Sequence, residues 1–276
     1  MISERAPAKV NLILQVGPPR PDGLHEVCSL FASLELADEL RFGASDHGGD
    51  EVVCEGVDGD NLVEAALGLF RARVDPELPG LQVLIDKRIP VAAGLGGGSA
   101  DAAAALRAAN DLAGRPLDVP ALRELAIEIG SDVPSQVHPR HALVTGVGER
   151  VEPLGLPAMG IVLVPSHEGL STPEVFAEAD RLASTREQLE PERLRALAAG
   201  SLDDLAAAVE NDLQQAALSL RPELVGTIDA LFAAGALAAG LSGSGPTAFG
   251  IFRGAAAAER AVPGLEGAIA TRLARA

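Results

Sequence analysis

A chain of 276 residues, 47% hydrophobic and 22% charged, has the profile of a folded protein with a sizeable core rather than a disordered or collagen-like one, and its length suits one large domain or two moderate ones. The net charge of −17 removes any diffuse attraction to nucleic-acid phosphates or anionic lipid, so an anionic ligand has to be met by a local cluster of donors. Cys28 and Cys54 are too few for a disulfide framework. Met1 to Val10 lacks a basic region followed by an apolar run, and the longest apolar stretch, Ala230 to Leu241, is interrupted by Gly235 and Gly240. It is far shorter than the roughly 20 residues of a membrane span. A cytoplasmic protein without a membrane role is expected.

Val10 to Val16 reads as a strand, closed by the turn-rich Gly17 to Gly23, and Cys28 to Phe42 alternates loosely enough for one or two further strands. Asp46 to Asp50 is a polar turn before an extended piece at Val52 to Cys54. Leu62, Ala65, Ala66, Leu69 and Phe70 then fall at helical intervals, with Asp60 or Asn61 as N-cap. Leu81 to Ile85 is a strand. Glycines at Gly94 to Gly98 lead into an alanine-rich helix from Ser99 to Leu112, and Val119 to Ile129 is a second helix stopping at Gly130.

Ala142 to Val151 predicts a hairpin around Gly146 and Gly148. Pro153 to Gly160 is placed as the boundary between domains 1–153 and 154–276. Beyond it lie a strand at Ile161 to Pro165 and helices at Thr172 to Leu182, Pro191 to Ala199, Leu202 to Ala216 and Pro222 to Ala234. A strand at Ala248 to Phe252 precedes a helical stretch from Ala255 to Ala276 broken near Pro263. Strands and helices mix in both halves, which makes the class α+β.

The basic residues are uneven: lysine occurs only at Lys9 and Lys87, and every other basic residue is Arg. A compact ammonium on a flexible stem does work that a planar guanidinium does not, so these two positions are functional candidates. The strongest local signal is Pro90-Val91-Ala92-Ala93-Gly94-Leu95-Gly96-Gly97-Gly98-Ser99-Ala100-Asp101, a glycine-dense turn emptying into a helix. Its backbone can approach an anion closely, and the helix start supplies unpaired N–H groups and a positive dipole end, the features of a phosphate cradle. No Lys-Ser or Lys-Thr follows the glycines, so it is not the common nucleotide loop.

A second cluster, Gly240-Leu241-Ser242-Gly243-Ser244-Gly245-Pro246, contains a Gly-x-Gly-x-x-Ala match, but a strand rather than a helix follows it, which removes the dinucleotide reading. Either it is a plain turn or a polar loop facing the first. Taken alone, Asp132 reads as a turn or cap residue and His25 as a surface turn histidine.

Together these motifs carry a resemblance. Ala6-Pro7-Ala8-Lys9-Val10-Asn11-Leu12, Arg20-Pro21-Asp22-Gly23-Leu24-His25-Glu26, Pro90 to Ala103, Gly130-Ser131-Asp132-Val133-Pro134 and Leu241 to Pro246 resemble the ordered motifs of the GHMP kinase superfamily. The similarity spans nearly the whole chain, including Gly146-Val147-Gly148-Glu149 and Asn211-Asp212. The Lys-x-Asn start, the Asp-Gly-x-His turn and the Gly-x-Asp-Val-Pro element point to the branch acting on a cytidine-diphosphate-linked methylerythritol, not to the homoserine, galactose or mevalonate branches.

That resemblance implies an N-terminal α+β domain, a ferredoxin-like C-terminal domain, and transfer of a phosphoryl group from ATP, with Mg²⁺ accompanying the nucleotide, to the tertiary 2-hydroxyl of the methylerythritol unit. The step belongs to non-mevalonate isoprenoid synthesis, and the protein would work as a monomer or homodimer. By the same carry-over, Asp132 would accept the hydroxyl proton, and Lys9 would keep that carboxylate ionised and stabilise charge on the moving phosphoryl group. Pro90 to Ala100 would hold the ATP phosphates, and Asn61 and Lys87 would contact the nucleotide. Asn11 would bond the methylerythritol end, His25 the cytosine edge, and Thr172, Phe176, Gly243 and Ser244 would line the substrate side.

Leu24 stands where the family usually has a Tyr that stacks on cytosine, and the chain has no Tyr or Trp. Ser135 and Gln136 replace two common aromatics, and Ala100 replaces a common second Ser. These departures bear on acceptor affinity more than on reaction type. Two alternatives stay open: another small-alcohol kinase of the superfamily, and a non-catalytic nucleotide-binding protein of the same fold.

Overall fold

The computed structural model describes residues 2–57, 61–166 and 168–274. The expected alternative cap Asp60 and the last two residues of the expected C-terminal helical stretch lie outside them. The chain forms two compact units, one built from Met1–Ala8, Leu36–Val91 and Gly96–Pro139, the other from Lys9–Glu35, Ala92–Leu95 and Arg140–Ala276. Two long strands, β1 (Ile2–Pro19) and β2 (His25–Ala44), contribute to both. Burial alternates over the first residues of β1 and becomes continuous from Ala8 to Gly17. The strand therefore starts eight residues before Val10, through Glu, Arg, Pro and Ala positions whose weak strand preference hides it in the sequence. β2 is a single strand.

In the first unit β3 (Glu51–Cys54) lies parallel to β4 (Leu81–Asp86), and β4 pairs antiparallel with Glu39 to Ala44 of β2. Four helices complete it: α1 (Leu62–Arg73), α2 (Gly97–Leu112), α3 (Val119–Ala126) and α4 (Val133–Gln136). Asn61 caps α1, its Oδ1 accepting from the Val63 N–H at 2.9 Å. Alanines at 102–105, 108 and 109 of α2 are fully buried with Leu67 and Phe70 of α1 and Phe42 of β2. Small side chains let the two helices pack closely at no cost in helix propensity. α2 begins at Gly97 rather than Ser99, with Gly96 in the left-handed region at φ +71° as its N-cap. α3 ends at Ala126, short of Ile129, and turns through Gly130 into α4, a short helix that the Pro134 signal concealed.

In the second unit β5 (Ala142–Gly146) and β6 (Arg150–Pro153) form the expected hairpin, with β5 paired to Val27 to Phe31 of β2. Next come β7 (Gly160–Val164), α5 (Thr172–Leu182), α6 (Pro191–Ala198), α7 (Leu202–Ala207), β8 (Glu210–Asn211), α8 (Gln214–Leu220), α9 (Leu224–Ala233), β9 (Ala238–Leu241), β10 (Ala248–Phe252), α10 (Ala255–Ala261) and β11 (Ile269–Arg272). A four-stranded antiparallel sheet runs β11-β7-β10-β9. Counting its own strands along the chain, the order is 4-1-3-2, the ferredoxin-like arrangement. Its core includes Val162, Leu231, Leu241 and Phe252.

Two expectations fail here. The helix expected over Leu202 to Ala216 is interrupted by β8, because Ile13 and Leu14 of β1 pair with Glu210 and Asn211 in parallel. The stretch after Pro263 is not helical: Ile269 to Arg272 pairs with β7 and completes the sheet. In each case strand pairing with distant chain overrides the local helical pattern. Among the described residues no helix is long and apolar enough to cross a membrane.

Candidate active site

Within the second unit, Lys9 and Asn11 occupy the buried part of β1, where the alternation of the strand places them on one face. Lys9 is only 5% exposed, and its Nζ donates to Asn11 Oδ1 at 2.7 Å and lies 4.9 Å from the centre of the Phe31 ring. The other end of the Asn11 amide donates to Ser29 Oγ at 2.9 Å, and Ser29 Oγ donates to the Ile13 carbonyl at 2.7 Å. Both ends of Asn11 are thus engaged by protein groups that fix its rotamer, and through it the ammonium.

Both glycine turns meet in this unit. The Lys9 N–H donates to the Leu95 carbonyl at 2.9 Å, and the Thr247 N–H to the Ala93 carbonyl at 3.3 Å. Ser242 Oγ accepts from the Asn11 N–H at 3.3 Å and donates to the Gly94 carbonyl at 3.0 Å, tying β1, the first turn and the second turn to one hydroxyl. Gly94 has φ +74°, and a Cβ there would stand 2.5 Å from the Gly245 carbonyl oxygen. Only glycine fits, because backbone packs directly on backbone. At Gly243 a Cβ would lie 3.3 Å from Asn11 Oδ1 and 3.7 Å from Lys9 Nζ, so this turn faces the ammonium. The second cluster is therefore the polar loop facing the first, not a plain turn.

Asn211 and Ser242 were assigned no role from the sequence. Asn211 Nδ2 donates to the carbonyls of Leu241 and Gly243, both at 2.8 Å, and its Oδ1 accepts from the Leu213 N–H. The side chain clamps the second turn from below. Its signal in the sequence is the polar Asn211-Asp212 pair, which shares in the resemblance and breaks an otherwise helical pattern.

Also in this unit, Thr172 at the start of α5 shares a 2.8 Å hydrogen bond with Ser244. His25 is buried rather than a surface turn residue. Its Nδ1–H donates to the Gly17 carbonyl at 2.8 Å, so Nε2 is the ring nitrogen left for other partners. Nε2 lies 3.5 Å from an Asp180 carboxylate oxygen, and the Phe176 ring packs 5.0 Å away at 40°. Leu24, in the turn before it, is 52% exposed.

In the first unit, Gly97, Gly98 and Ser99 form the opening turn of α2, whose first N–H groups have no acceptor within the helix. Ser99 is thus the third helical residue, not the first. Pro90 is half-buried and Val91 exposed before the turn, while Ala100 is buried behind it. Lys87 Nζ donates to Asp38 Oδ2 and Asp101 Oδ2, both at 2.6 Å. Burial opposes its charge, yet the two carboxylates outweigh that and hold its pKa above the ordinary value. The same burial pushes Asp101 up to about 7 against the pull of Lys87. Leu62, beside the cap residue Asn61, is where a Cβ on Gly98 would touch, at 3.7 Å.

Asp132 precedes α4 in the first unit with helical backbone angles, and its side chain makes no capping bond. The cap role suggested by position alone is not what it does. Its own carbonyl accepts from Ser135 Oγ at 2.7 Å. Among the described residues no group of three or more His, Cys, Asp or Glu side chains is arranged to hold a metal.

Residues 61–140 match the model of the GHMP kinases N terminal domain, and residues 194–267 that of the GHMP kinases C terminal domain. The 4-diphosphocytidyl-2-C-methyl-D-erythritol kinase of Kineococcus radiotolerans is 44% identical over 279 residues, covering 96% of this chain and 86% of that one. The enzyme of the same name from Nocardia farcinica is 46% identical over 285 residues, covering 98% and 91%. A crystal structure of a 4-(cytidine 5'-diphospho)-2C-methyl-D-erythritol kinase superposes with a TM-score of 0.83 at 35% identity over the whole of both chains.

Proposed function

This chain belongs to the GHMP kinase family, in its 4-diphosphocytidyl-2-C-methyl-D-erythritol kinase branch, and from that premise we propose how its residues carry the reaction. It is an ATP-dependent small-molecule kinase that phosphorylates the 2-hydroxyl of 4-diphosphocytidyl-2-C-methyl-D-erythritol. The hydroxyl oxygen forms a bond to the γ-phosphorus as the bond to the ADP oxygen breaks, and the hydroxyl proton passes to the Asp132 carboxylate. Lys9 stabilises the charge spread over the transferring oxygens, and Asn11 holds Lys9 in place for that task. The turn over residues 90–100 and the first N–H groups of α2 seat the phosphates. Mg²⁺ would come with the nucleotide and offset the charge of its phosphates, the turn over residues 90–100 and the start of α2 holding the two together.

On the acceptor side, His25 Nε2 accepts from the exocyclic amine of cytosine, while Phe176 offers the aromatic face that Leu24 does not. Thr172, Gly243 and Ser244 line the path to the hydroxyl, and Asn61 and Lys87 serve the nucleotide. The sequence division at 153/154 is kept as a proposal; the segments matched by the two family models are 61–140 and 194–267, and the two compact units are not divided there. The enzyme works in the cytoplasm as a monomer or homodimer, with no nucleic-acid or membrane partner.

The observation that carries this reading is the immobilised Lys9 ammonium facing a glycine turn that packs on the first glycine turn. One specific feature favours a second reading: the exposed Leu24 suggests that a different small alcohol is the better acceptor. Incubation with Mg·ATP and the cytidyl acceptor, followed by ³¹P NMR, separates the two. A new phosphomonoester on the methylerythritol unit supports the first; turnover of homoserine or mevalonate in its place supports the second.

A further inference from the structure

Beneath the opening turn of α2 lies a buried cluster in which Lys87 is joined to two carboxylates that have no assigned part in the transfer. Asp38, on β2, is fully buried; its Oδ1 accepts from the backbone N–H groups of Arg88 and Ile89 at 2.6 and 2.8 Å, and its Oδ2 from Lys87. Lys87 bridges from there to Asp101, which is 3% exposed on the second turn of α2. The ammonium packs against the helix start, since a Cβ on Gly97 would stand 3.2 Å from Nζ. Two of its three protons are taken by carboxylates, which fixes the direction of the third. Asp101 Oδ1 is buried and has no hydrogen-bond partner among the described residues.

Two carboxylates and one ammonium bury a net negative charge when all three are ionised, and burying uncompensated charge is costly. Among the described residues Lys87 is the one charged side chain bonded to either carboxylate, and the remaining bonds to Asp38 come from backbone N–H groups. α1 turns Val63, Ala66, Leu67 and Phe70 inward and keeps Glu64 exposed. α3 buries Leu122, Leu125 and Ala126, and α4 spans no titratable residue. On β3 the half-buried Cys54 thiol, raised by burial, feels all three charges.

We infer that Asp101 is a positioning residue for nucleotide binding: through Lys87 and Asp38 it fixes the opening turn of α2, and it does so best when it carries a proton and the cluster is neutral. The inference rests on the reading of residues 90–100 as the phosphate seat. With Asp101 raised to about 7, the cluster is neutral on the acid side of that value. It gains a negative charge on the alkaline side, under the very N–H groups that face a triphosphate.

The test is calorimetric binding of Mg·ATP between pH 6 and pH 8.5 to the wild-type chain, Asp101→Asn and, should that variant fold poorly, Asp101→Ser. Taking the ratio of wild-type to variant Kd at each pH cancels the titration of ATP itself. The ratio is expected to climb several-fold with rising pH, because the variants cannot acquire the charge. A ratio constant with pH overturns the inference and leaves the seat intact. Absence of Mg·ATP binding by the wild type at every pH overturns the seat, and the inference with it.

Discussion

Lys9 and Asn11 are joined by a 2.7 Å hydrogen bond from Nζ to Oδ1 along one face of β1, and the same asparagine is held from behind by Ser29. Asn11 is therefore a holder of the ammonium first, and any contact it makes to the acceptor uses the remaining lone pair of its oxygen. Asn11→Ala frees the Lys9 side chain and strips two buried hydrogen bonds. Stability measured by urea unfolding is expected to fall by about 1–3 kcal/mol, and kcat by about 10²-fold. A kcat within a factor of two or so of wild type would remove Asn11 from the orientation of Lys9.

The glycines of the first turn are not equivalent. Gly94 combines a positive φ with a backbone contact that leaves no room for a Cβ, so Gly94→Ala should cost at least about 2 kcal/mol by urea unfolding. Gly98 lies inside α2, where a Cβ makes only ordinary contact with Leu62. Gly98→Ala is expected to raise stability by about 0.5–1 kcal/mol.

Leu24 presents an exposed aliphatic side chain beside the buried His25. A ring there adds a stacking face for cytosine, worth about 1–3 kcal/mol by analogy with single-strand binding. Leu24→Tyr should lower KM for the cytidyl acceptor about fivefold or more. An unchanged KM would place the base elsewhere.

His141 is buried, and its Nδ1 accepts from the Ser33 N–H at 3.1 Å, which requires that nitrogen to be unprotonated. Burial holds the ring below its ordinary value of 6.5, more strongly than the Ala274 backbone raises it. Because the folded value is depressed, the stabilisation is complete above about pH 6.5. It is lost as pH falls through the folded value, since the unfolded chain takes the proton first. His141→Leu should cost about 1–3 kcal/mol at pH 7.5 by leaving Ser33 unpaired, and should flatten the fall of the urea midpoint between pH 7 and pH 5. A slope equal to that of wild type would show that another group governs the acid side.

Local chemistry makes some of this legible before any coordinates. Asn61 caps where a polar residue precedes a helical apolar pattern, α5 starts at Thr172 before Pro173, and β10 is a compact apolar run. The two lysines stand out from an arginine background, and both lie in arranged polar clusters. What stays hidden depends on distant partners. β8 exists because β1 pairs with it, and Asn211 acquires a role only when the second glycine turn folds over it. β11 completes a sheet whose other strands lie scattered through the preceding hundred residues. The buried Asp38 and Asp101 look like surface acids in a chain this acidic until both meet Lys87.

The account turns on Asp132 as the group that takes the acceptor proton. Asp132→Asn removes that capacity while keeping the shape of the side chain, and steady-state turnover of the cytidyl acceptor together with calorimetric Mg·ATP binding on the same preparation reads both consequences. The account predicts kcat lower by about 10²- to 10⁴-fold, with a Kd for Mg·ATP within about threefold of wild type. Turnover retained within a factor of about ten would contradict it.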